Sequence, residues 1–175
     1  MNKGKFLSIL LSVVFFTITQ AQTIDSKASK VEFEIGNMKV MNVEGSFTGM
    51  QGDIVFNPSN LSQSKFNVCI DAATINTENE DRDAHLKNED FFDVNKYPKI
   101  CFESTSISNK GDQFLAKGKL TMHGVTKLVE IIFTYKDKTF IGELTVNRFD
   151  YKVGEDTGTF MVSEDAELTI ICKLI

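Results

Sequence analysis

The stretch SKVEFEIG, residues 29–36, determines how the rest of the chain is interpreted. Val31, Phe33 and Ile35 alternate with charged residues, and this period of two predicts an antiparallel strand with one buried face and one solvated face. The same alternation returns in KFNVCIDAATI at 65–75. Strands rather than helices are therefore expected to form the fold.

Strand patterns continue towards the C-terminus in the segments KICFESTSI, QFLAKGKLTM, KLVEIIFTYK, TFIGELTVNRF and AELTIICKLI. Short turns separate them, at Asn109-Lys110-Gly111, His123-Gly124 and Lys136-Asp137-Lys138. Eight or nine strands with connections of hairpin length are typical of an antiparallel all-β barrel or sandwich. In the strand at 127–136 both phases are apolar, and we assign Val129, Ile131 and Phe133 to the buried phase, against Leu128 and Ile132.

One interruption of the strand pattern predicts a single short helix, over about residues 78–92. Thr77-Glu78-Asn79-Glu80 has the form of a capping box, in which the Thr hydroxyl would serve a free backbone N–H and Glu80 would reach back. Leu86 and the Phe91-Phe92 pair would supply the apolar stripe of this helix. It is the only helix expected in a β protein.

The first residues predict export. Lys3 and Lys5 precede an apolar run from Phe6 to Ile18, which is the layout of a signal peptide and too short for a membrane span. Cleavage after Ala21 would leave one domain, residues 22–175. Without Lys3 and Lys5, 17 basic residues face 24 acidic ones, a net charge of −7. This charge argues against nucleic acid or an anionic membrane surface as a partner.

The three cysteines are too few for a disulfide scaffold. Cys69 and Cys101 share the outward phase of consecutive strands, whereas Cys172 follows Leu168 and Ile170 inward. A bridge is thus more favourable between Cys69 and Cys101 than for any other pair, provided that the strand register brings their Cα atoms within about 7 Å. Cys172 is expected to be a buried free thiol.

The polar stretch DRDAHLKNEDFFD at 81–93 allows several interpretations. A metal site is disfavoured because His85 has no second histidine one turn away and the acidic residues lack the spacing of a Ca²⁺ loop. Catalysis is disfavoured because the cysteines lie inside strand patterns and no nucleophile elbow occurs. Two uses remain open: a clamp that holds the helix to the barrel through charge-assisted hydrogen bonds, or contacts with a ligand headgroup.

Three blocks of sequence resemble the YceI-like family. They are TENEDRDAHLKNEDFFDVNKYPKICFEST, GKLTMHGVTKLV at 118–129 and VNRFDY at 146–151. The signature positions that carry the resemblance are Arg82, Asp83, His85, Leu86, Phe91, Phe92, Tyr97, Pro98, His123, Gly124 and Arg148. The resemblance implies a lipocalin-like antiparallel β-barrel of about eight strands around an apolar cavity. It also implies a periplasmic protein that binds a polyisoprenoid or another long-chain amphiphile without catalysis or cofactor.

The inward phases of the strands give the candidate ligand-binding residues. These are Phe33, Ile35, Phe47, Phe56, Val68, Ile70, Phe102, Leu120, Met122, Ile131, Phe133, Leu144 and Val146. Arg82, Asp83, His85 and Arg148 form a possible headgroup or structural polar cluster, and no metal ligand is assigned.

Two functions from different classes remain at this point. In the first, an exported monomer or weak dimer, not stably inserted in a membrane, carries or sequesters a polyisoprenoid, an isoprenoid quinone or a fatty-acid derivative in the periplasm or outside the cell. In the second, a filled barrel serves as a structural or protein-interaction module. A continuous internal cavity of several hundred Å³ would distinguish the first from the second.

Overall fold

The structure, a computed structural model, describes residues 21–37 and 41–175, and there it forms one antiparallel sheet. The strands are β1 (Lys30–Asn37), β2 (Met41–Phe47), β3 (Gln51–Val55), β4 (Lys65–Asp71), β5 (Lys99–Lys110), β6 (Gln113–Met122), β7 (Val125–Lys136), β8 (Thr139–Asn147) and β9 (Val162–Lys173). Their order in the sheet is β2-β1-β9-β8-β7-β6-β5-β4-β3. The predicted all-β antiparallel fold is confirmed, with nine strands where the resemblance implied about eight.

The sheet curls into a half-barrel whose two end strands are β2 and β3. Ser46 of β2 exchanges two backbone hydrogen bonds with Asn76, of 2.8 and 3.0 Å. The segment before β1 bridges β3 to the C-terminal residues, because Gln22 pairs with Ile54 and Ile24 pairs with Leu174. These contacts hold together the parts of the barrel that the strand ladder does not join.

Two of the three predicted hairpin turns have the backbone conformation that two-residue loops require, and the third lies at 111–112 because Asn109 and Lys110 belong to β5. His123 and Gly124 have φ angles of 50° and 74°, and Asp137 and Lys138 have φ angles of 50° and 60°. Two consecutive positive φ values match the twist of the flanking antiparallel strands. The turns at 111–112 and 137–138 lie at the end of the barrel that we call the base. The opposite end, where β1 ends and β9 begins, is the mouth.

The inward phase of β7 agrees with the one assigned from the sequence. Ile131 and Phe133 are buried and Val129 is half-buried, whereas Leu128 is 77% exposed. Phe133 pairs with Phe114 of β6 and with Gly142 of β8. The choice between the two apolar phases is therefore confirmed.

Aromatic side chains fill the base of the barrel. The ring of Phe56 lies 5.1–6.0 Å from five other rings, most of them edge-on. These five rings belong to Phe66, Phe114, Phe133, Tyr135 and Phe140. Edge-to-face packing at this distance adds to the free energy gained by burial, so the base is a solid core.

The helix is shorter than predicted. Helix α1 spans Glu80–Leu86, not 78–92. After Lys87 the chain reverses, with Asp93 at a φ of 43° and the N–H of Phe92 bonded to the carbonyl of Leu86. Phe91 and Phe92 therefore lie in a turn, from which Phe92 reaches the ring of Phe47 and Phe91 packs in a separate cluster. Their apolar pattern correctly predicted that Phe91 and Phe92 pack against the core, but the prediction that they belong to the helix is wrong.

The predicted capping box is also wrong. The N-cap of α1 is Asn79, whose side-chain oxygen accepts a hydrogen bond of 2.9 Å from the backbone N–H of Arg82. Asn is as good an N-cap as Thr. Thr77 is instead bound by the side chains of Arg82 and Asp83, which removes it from the helix end.

Cys69 and Cys101 form a disulfide, as the strand phases suggested. They are directly opposite each other in the β4–β5 ladder, with Cα atoms 4.1 Å apart. Cys172 is a buried free cysteine. Burial raises the pKa of its thiol to about 11, so it remains protonated at neutral pH.

The predicted signal peptide, residues 1–21, lies outside the described residues except for Ala21. Among the residues that are described, no helix has the length and hydrophobicity needed to cross a membrane.

Candidate functional site

The barrel encloses a cavity of about 520 Å³ between the aromatic base and the mouth. Its wall is almost entirely aliphatic or aromatic, and Phe66, Phe133 and Phe140 form the floor above the base. Leu144, Leu168 and other wall residues are only half-buried although they face inward, because the space beside them is not filled by protein. A cavity of this size lies within the range of pockets that hold small-molecule ligands.

The structure places twelve of the thirteen candidate ligand-binding residues on this wall. These twelve are Phe33, Ile35, Phe47, Val68, Ile70, Phe102, Leu120, Met122, Ile131, Phe133, Leu144 and Val146. Phe56 lies outside the cavity wall, because it follows the end of β3 and its ring fills the base behind Phe133 and Phe140.

Several wall residues were absent from the candidate set. Ala166, Leu168 and Ile170 of β9 line the cavity, and their alternation along AELTIICKLI contained the signal that could have identified them. Phe91 and Phe92 also contribute, from the turn after α1. Their position depends on a chain reversal that the sequence pattern did not indicate.

Arg82 and Asp83 together satisfy the polar groups of one buried residue, Thr77. Arg82 donates from Nε to the Thr77 hydroxyl at 2.8 Å and from Nη2 to the Thr77 carbonyl at 2.7 Å. The Asp83 carboxylate accepts hydrogen bonds from the Thr77 hydroxyl and backbone N–H. Thr77 in turn lies against Gly45 of β2. These contacts hold α1 to the sheet. They agree with the interpretation of the polar stretch at 81–93 as a clamp for the helix.

Replacing Arg82 with alanine is expected to lower the free energy of unfolding by about 2 kcal/mol, because two hydrogen bonds to the buried Thr77 are lost. Chemical denaturation of the wild type, Arg82→Ala and Arg82→Lys measures this effect. Lysine keeps the charge but lacks the planar fork of donors, so it should recover only part of the loss. An unchanged unfolding midpoint together with lost ligand binding would assign Arg82 to headgroup contact instead.

The two histidines have separate surroundings. His85 lies at the mouth, with Nε2 3.5 Å from the Asp90 carboxylate and its ring edge-on to Phe91. Both members of this pair are largely exposed, so it contributes little to stability. His123 packs against Tyr97 and its Nδ1 lies 3.1 Å from the carbonyl oxygen of Tyr151. The structure does not bring the two histidines into one site.

Arg148 is the most thoroughly bonded polar side chain of the site and is only 6% exposed. It follows β8 in a short 3-10 helix, Arg148–Tyr151, and lines the mouth of the cavity. Its guanidinium donates to five backbone carbonyls, those of Val153, Gly154 and Thr157 in the connection after this helix and those of Val162 and Ser163 at the start of β9. Burial lowers the pKa of Arg148, and the nearby Glu164 acts in the opposite direction. Arg148 therefore organises the segment at the mouth.

In the described part of the chain, no group of three or more His, Cys, Asp or Glu side chains is arranged to hold a metal ion. The polar side chains on the cavity wall, which include Asn37, Arg82, His85, Arg148 and Thr157, belong to the mouth end. The site thus consists of an apolar interior with polar groups at its opening. Such an arrangement suits a molecule with a long apolar part.

Comparisons with known proteins agree with this architecture. Residues 22–174 match the YceI-like domain. A UPF0312 protein of Vibrio campbellii is 32% identical over 137 residues, covering 75% of this chain and 72% of the relative. The crystal structure of Burkholderia cenocepacia BcnA superposes with a TM-score of 0.78 at 25% identity, covering 85% of this chain and 98% of that one.

A polyisoprenoid binding domain from Saccharophagus degradans, implicated in plant cell wall breakdown, has the same fold. Its TM-score is 0.67 at 15% identity, with 88% of this chain and 97% of that chain covered. The domain match over nearly the whole described chain, together with the identity to the UPF0312 relative, shows that this chain belongs to the YceI-like family.

Proposed function

We propose that the protein binds a long-chain apolar or amphiphilic molecule in its cavity and sequesters or carries it through an aqueous compartment. The observation that supports this most directly is the apolar cavity of about 520 Å³. The alternative, a structural or interaction module with a filled barrel, has less support because only the base is filled. The fold shared with a polyisoprenoid binding domain favours isoprenoid chains among the possible ligands.

The energetics favour a chain over a compact polar molecule. Removing about sixteen methylene equivalents from water gains on the order of 12 kcal/mol, at ~0.8 kcal/mol each. Association costs of about 4 to 15 kcal/mol oppose this gain. Net affinity therefore depends on a cavity that exists before the ligand arrives, and the aromatic base and the clamped helix α1 favour such preorganisation.

A non-catalytic role belongs to the same proposal. The Cys172 thiol on the cavity wall has its pKa raised by burial to about 11, which makes it a poor nucleophile at neutral pH. All five N–H donors of Arg148 are bonded to backbone carbonyls, so they have no capacity left to stabilise a reacting group. Cys172 and Arg148 are therefore not available for catalysis.

Export to the periplasm, or to the exterior, is also proposed. The signal-peptide pattern supports it, and the family match begins at residue 22, directly after the expected cleavage point. A disulfide is compatible with an oxidising compartment. Intact-mass measurement of the protein from a periplasmic fraction should give a chain that begins at Gln22 with the disulfide formed, and a full-length chain retained in the cytoplasm would contradict export.

The ligand proposal is tested by extracting protein purified from its native compartment with organic solvent and analysing the extract by mass spectrometry. We expect a long-chain lipid in the wild-type extract. In Ala166→Phe, where the new ring occupies cavity space beside Ile35 and Val146, recovery should fall about tenfold. The control Thr145→Phe places the same ring on the outer face of β8 and should match the wild type. An extract without lipid, or equal lipid in both variants, would contradict the proposal.

A further inference from the structure

The mouth of the cavity is bordered by large apolar side chains that face solvent. Met41 is 58% exposed, Phe160 65% and Met161 44%, and we call these three residues the lip. They account for half of the six well-exposed large apolar residues in the described chain. Single exposed apolar residues are ordinary, whereas a group beside a binding cavity indicates a contact surface.

The lip continues the cavity wall. Met41 stands in the same phase of β2 as Val43 and Phe47, both of which line the cavity, and only its position at the strand end exposes it. In the sheet Met41 is paired with Asn37, which is paired with Val162 of β9. Met161, one residue before Val162, both lines the cavity and reaches solvent. Met161 thus connects the apolar interior directly to the exposed lip, and Met41 lies across Asn37 from it.

The charges beside the lip limit what it can contact. Within the described segment 152–165, Glu155, Asp156, Glu164 and Asp165 are exposed, against one exposed cation, Lys152. An anionic membrane surface would be repelled by these carboxylates at low ionic strength. A lipid surface with no net charge meets apolar side chains without that penalty.

We propose that the lip docks onto an uncharged or zwitterionic lipid surface, so that the ligand passes between the bilayer and the cavity without crossing water. This inference rests on the proposed function. The physical reason is that exposing each methylene group of a long chain to water costs free energy. A lip in contact with the bilayer would let the chain move into the cavity without that exposure. Transfer should then require collision between the protein and the lipid surface.

The test measures the rate at which a fluorescent anthracene-labelled long-chain alcohol moves from phosphatidylcholine vesicles to the protein. For the wild type the rate should rise with vesicle concentration, as a collision requires. The double variant Met41→Gln, Phe160→Gln alters lip residues outside the cavity lining and should slow transfer about tenfold, because each Gln removes apolar contact with the bilayer. Leu128→Gln makes the same polarity change on the outer face of β7 and should transfer like the wild type. Replacing phosphatidylcholine with phosphatidylglycerol should slow transfer at low salt, and added salt should restore it.

Delivery of the same probe from cyclodextrin separates this inference from the proposed function. The docking inference alone would be overturned if the probe loads from cyclodextrin but its rate of transfer from vesicles is independent of vesicle concentration. Equal rates of transfer from vesicles in the lip variant and the wild type would have the same meaning. Failure to load from either source would overturn both. If sedimentation shows a dimer that the lip variant dissociates, and vesicles have no effect on the rate, the lip contacts a second copy and the lipid-surface inference is wrong.

Discussion

Replacing Arg148 with alanine is expected to lower the free energy of unfolding by about 4 kcal/mol, the largest effect on stability of any single polar substitution considered in this protein. The truncation removes the Arg148 donors from five backbone carbonyls, and the bonds to Val153 and Gly154 are buried. Gly154 keeps a second donor, the Thr157 N–H. It also removes the guanidinium that stacks 4.0 Å from the Phe149 ring. Urea denaturation followed by circular dichroism measures the loss.

The control for this substitution is Arg148→Lys. An ammonium keeps the positive charge but cannot reach five carbonyls from one position, so we expect a loss of about 2 kcal/mol, intermediate between wild type and alanine. Hydrogen exchange should become faster across the segment between Val153 and Ser163 in both variants. A midpoint for Arg148→Ala equal to that of the wild type would mean that the five hydrogen bonds do not hold this segment.

The second large effect is expected on binding. Leu144→Asp puts a carboxylate on the cavity wall, where Leu144 faces the empty space and is only half-buried. An apolar chain that enters must then displace water from the carboxylate, so affinity for an anthracene-labelled long-chain alcohol should fall about a hundredfold, or about 2.8 kcal/mol. Fluorescence titration of the purified protein gives the dissociation constants.

The matched control is Leu128→Asp, since Leu128 is exposed on the outer face of the neighbouring strand. Its affinity should equal that of the wild type. Thermal unfolding of both variants checks that the fold is kept. Equal affinities for Leu144→Asp and wild type would show that the chain does not lie against this part of the wall.

Much of the barrel could be predicted because a strand with one buried face imposes its period on the sequence. The alternation around Phe33 predicted β1, and the choice of Ile131 and Phe133 as inward residues was right even where both phases of β7 are apolar. The same logic selected Cys69 and Cys101, which lie opposite each other in the ladder. These features depend on contacts between neighbouring strands, which local sequence reports well.

Features that depend on distant parts of the chain were not predictable in this way. Phe56 is a large apolar residue like those of the cavity wall, but it follows the end of β3. Its ring packs in the base against five aromatic rings from other elements. Thr77 fits an N-cap pattern, yet its hydroxyl is hydrogen-bonded to the side chains of Arg82 and Asp83 instead of to the helix backbone. Three of the five carbonyls around Arg148 belong to residues 153–157, which have no periodic pattern, and two belong to the first residues of β9. No local pattern therefore identified Arg148 as the residue that binds them.

The position of β9 between β1 and β8 has a consequence for the order in which the molecule assembles. Strands β3 to β8 form a meander in which each strand pairs with its neighbour in the chain, so these hairpins can form while synthesis or translocation continues. β1 and β2 can pair with each other, but in the strand ladder they join the meander only through β9, more than a hundred residues later in the chain. Closing so long a loop is entropically costly and slow. We therefore expect β1 to join the sheet only after the C-terminal strand is available, which keeps the chain incompletely folded, and free of ligand, until its last residues have emerged.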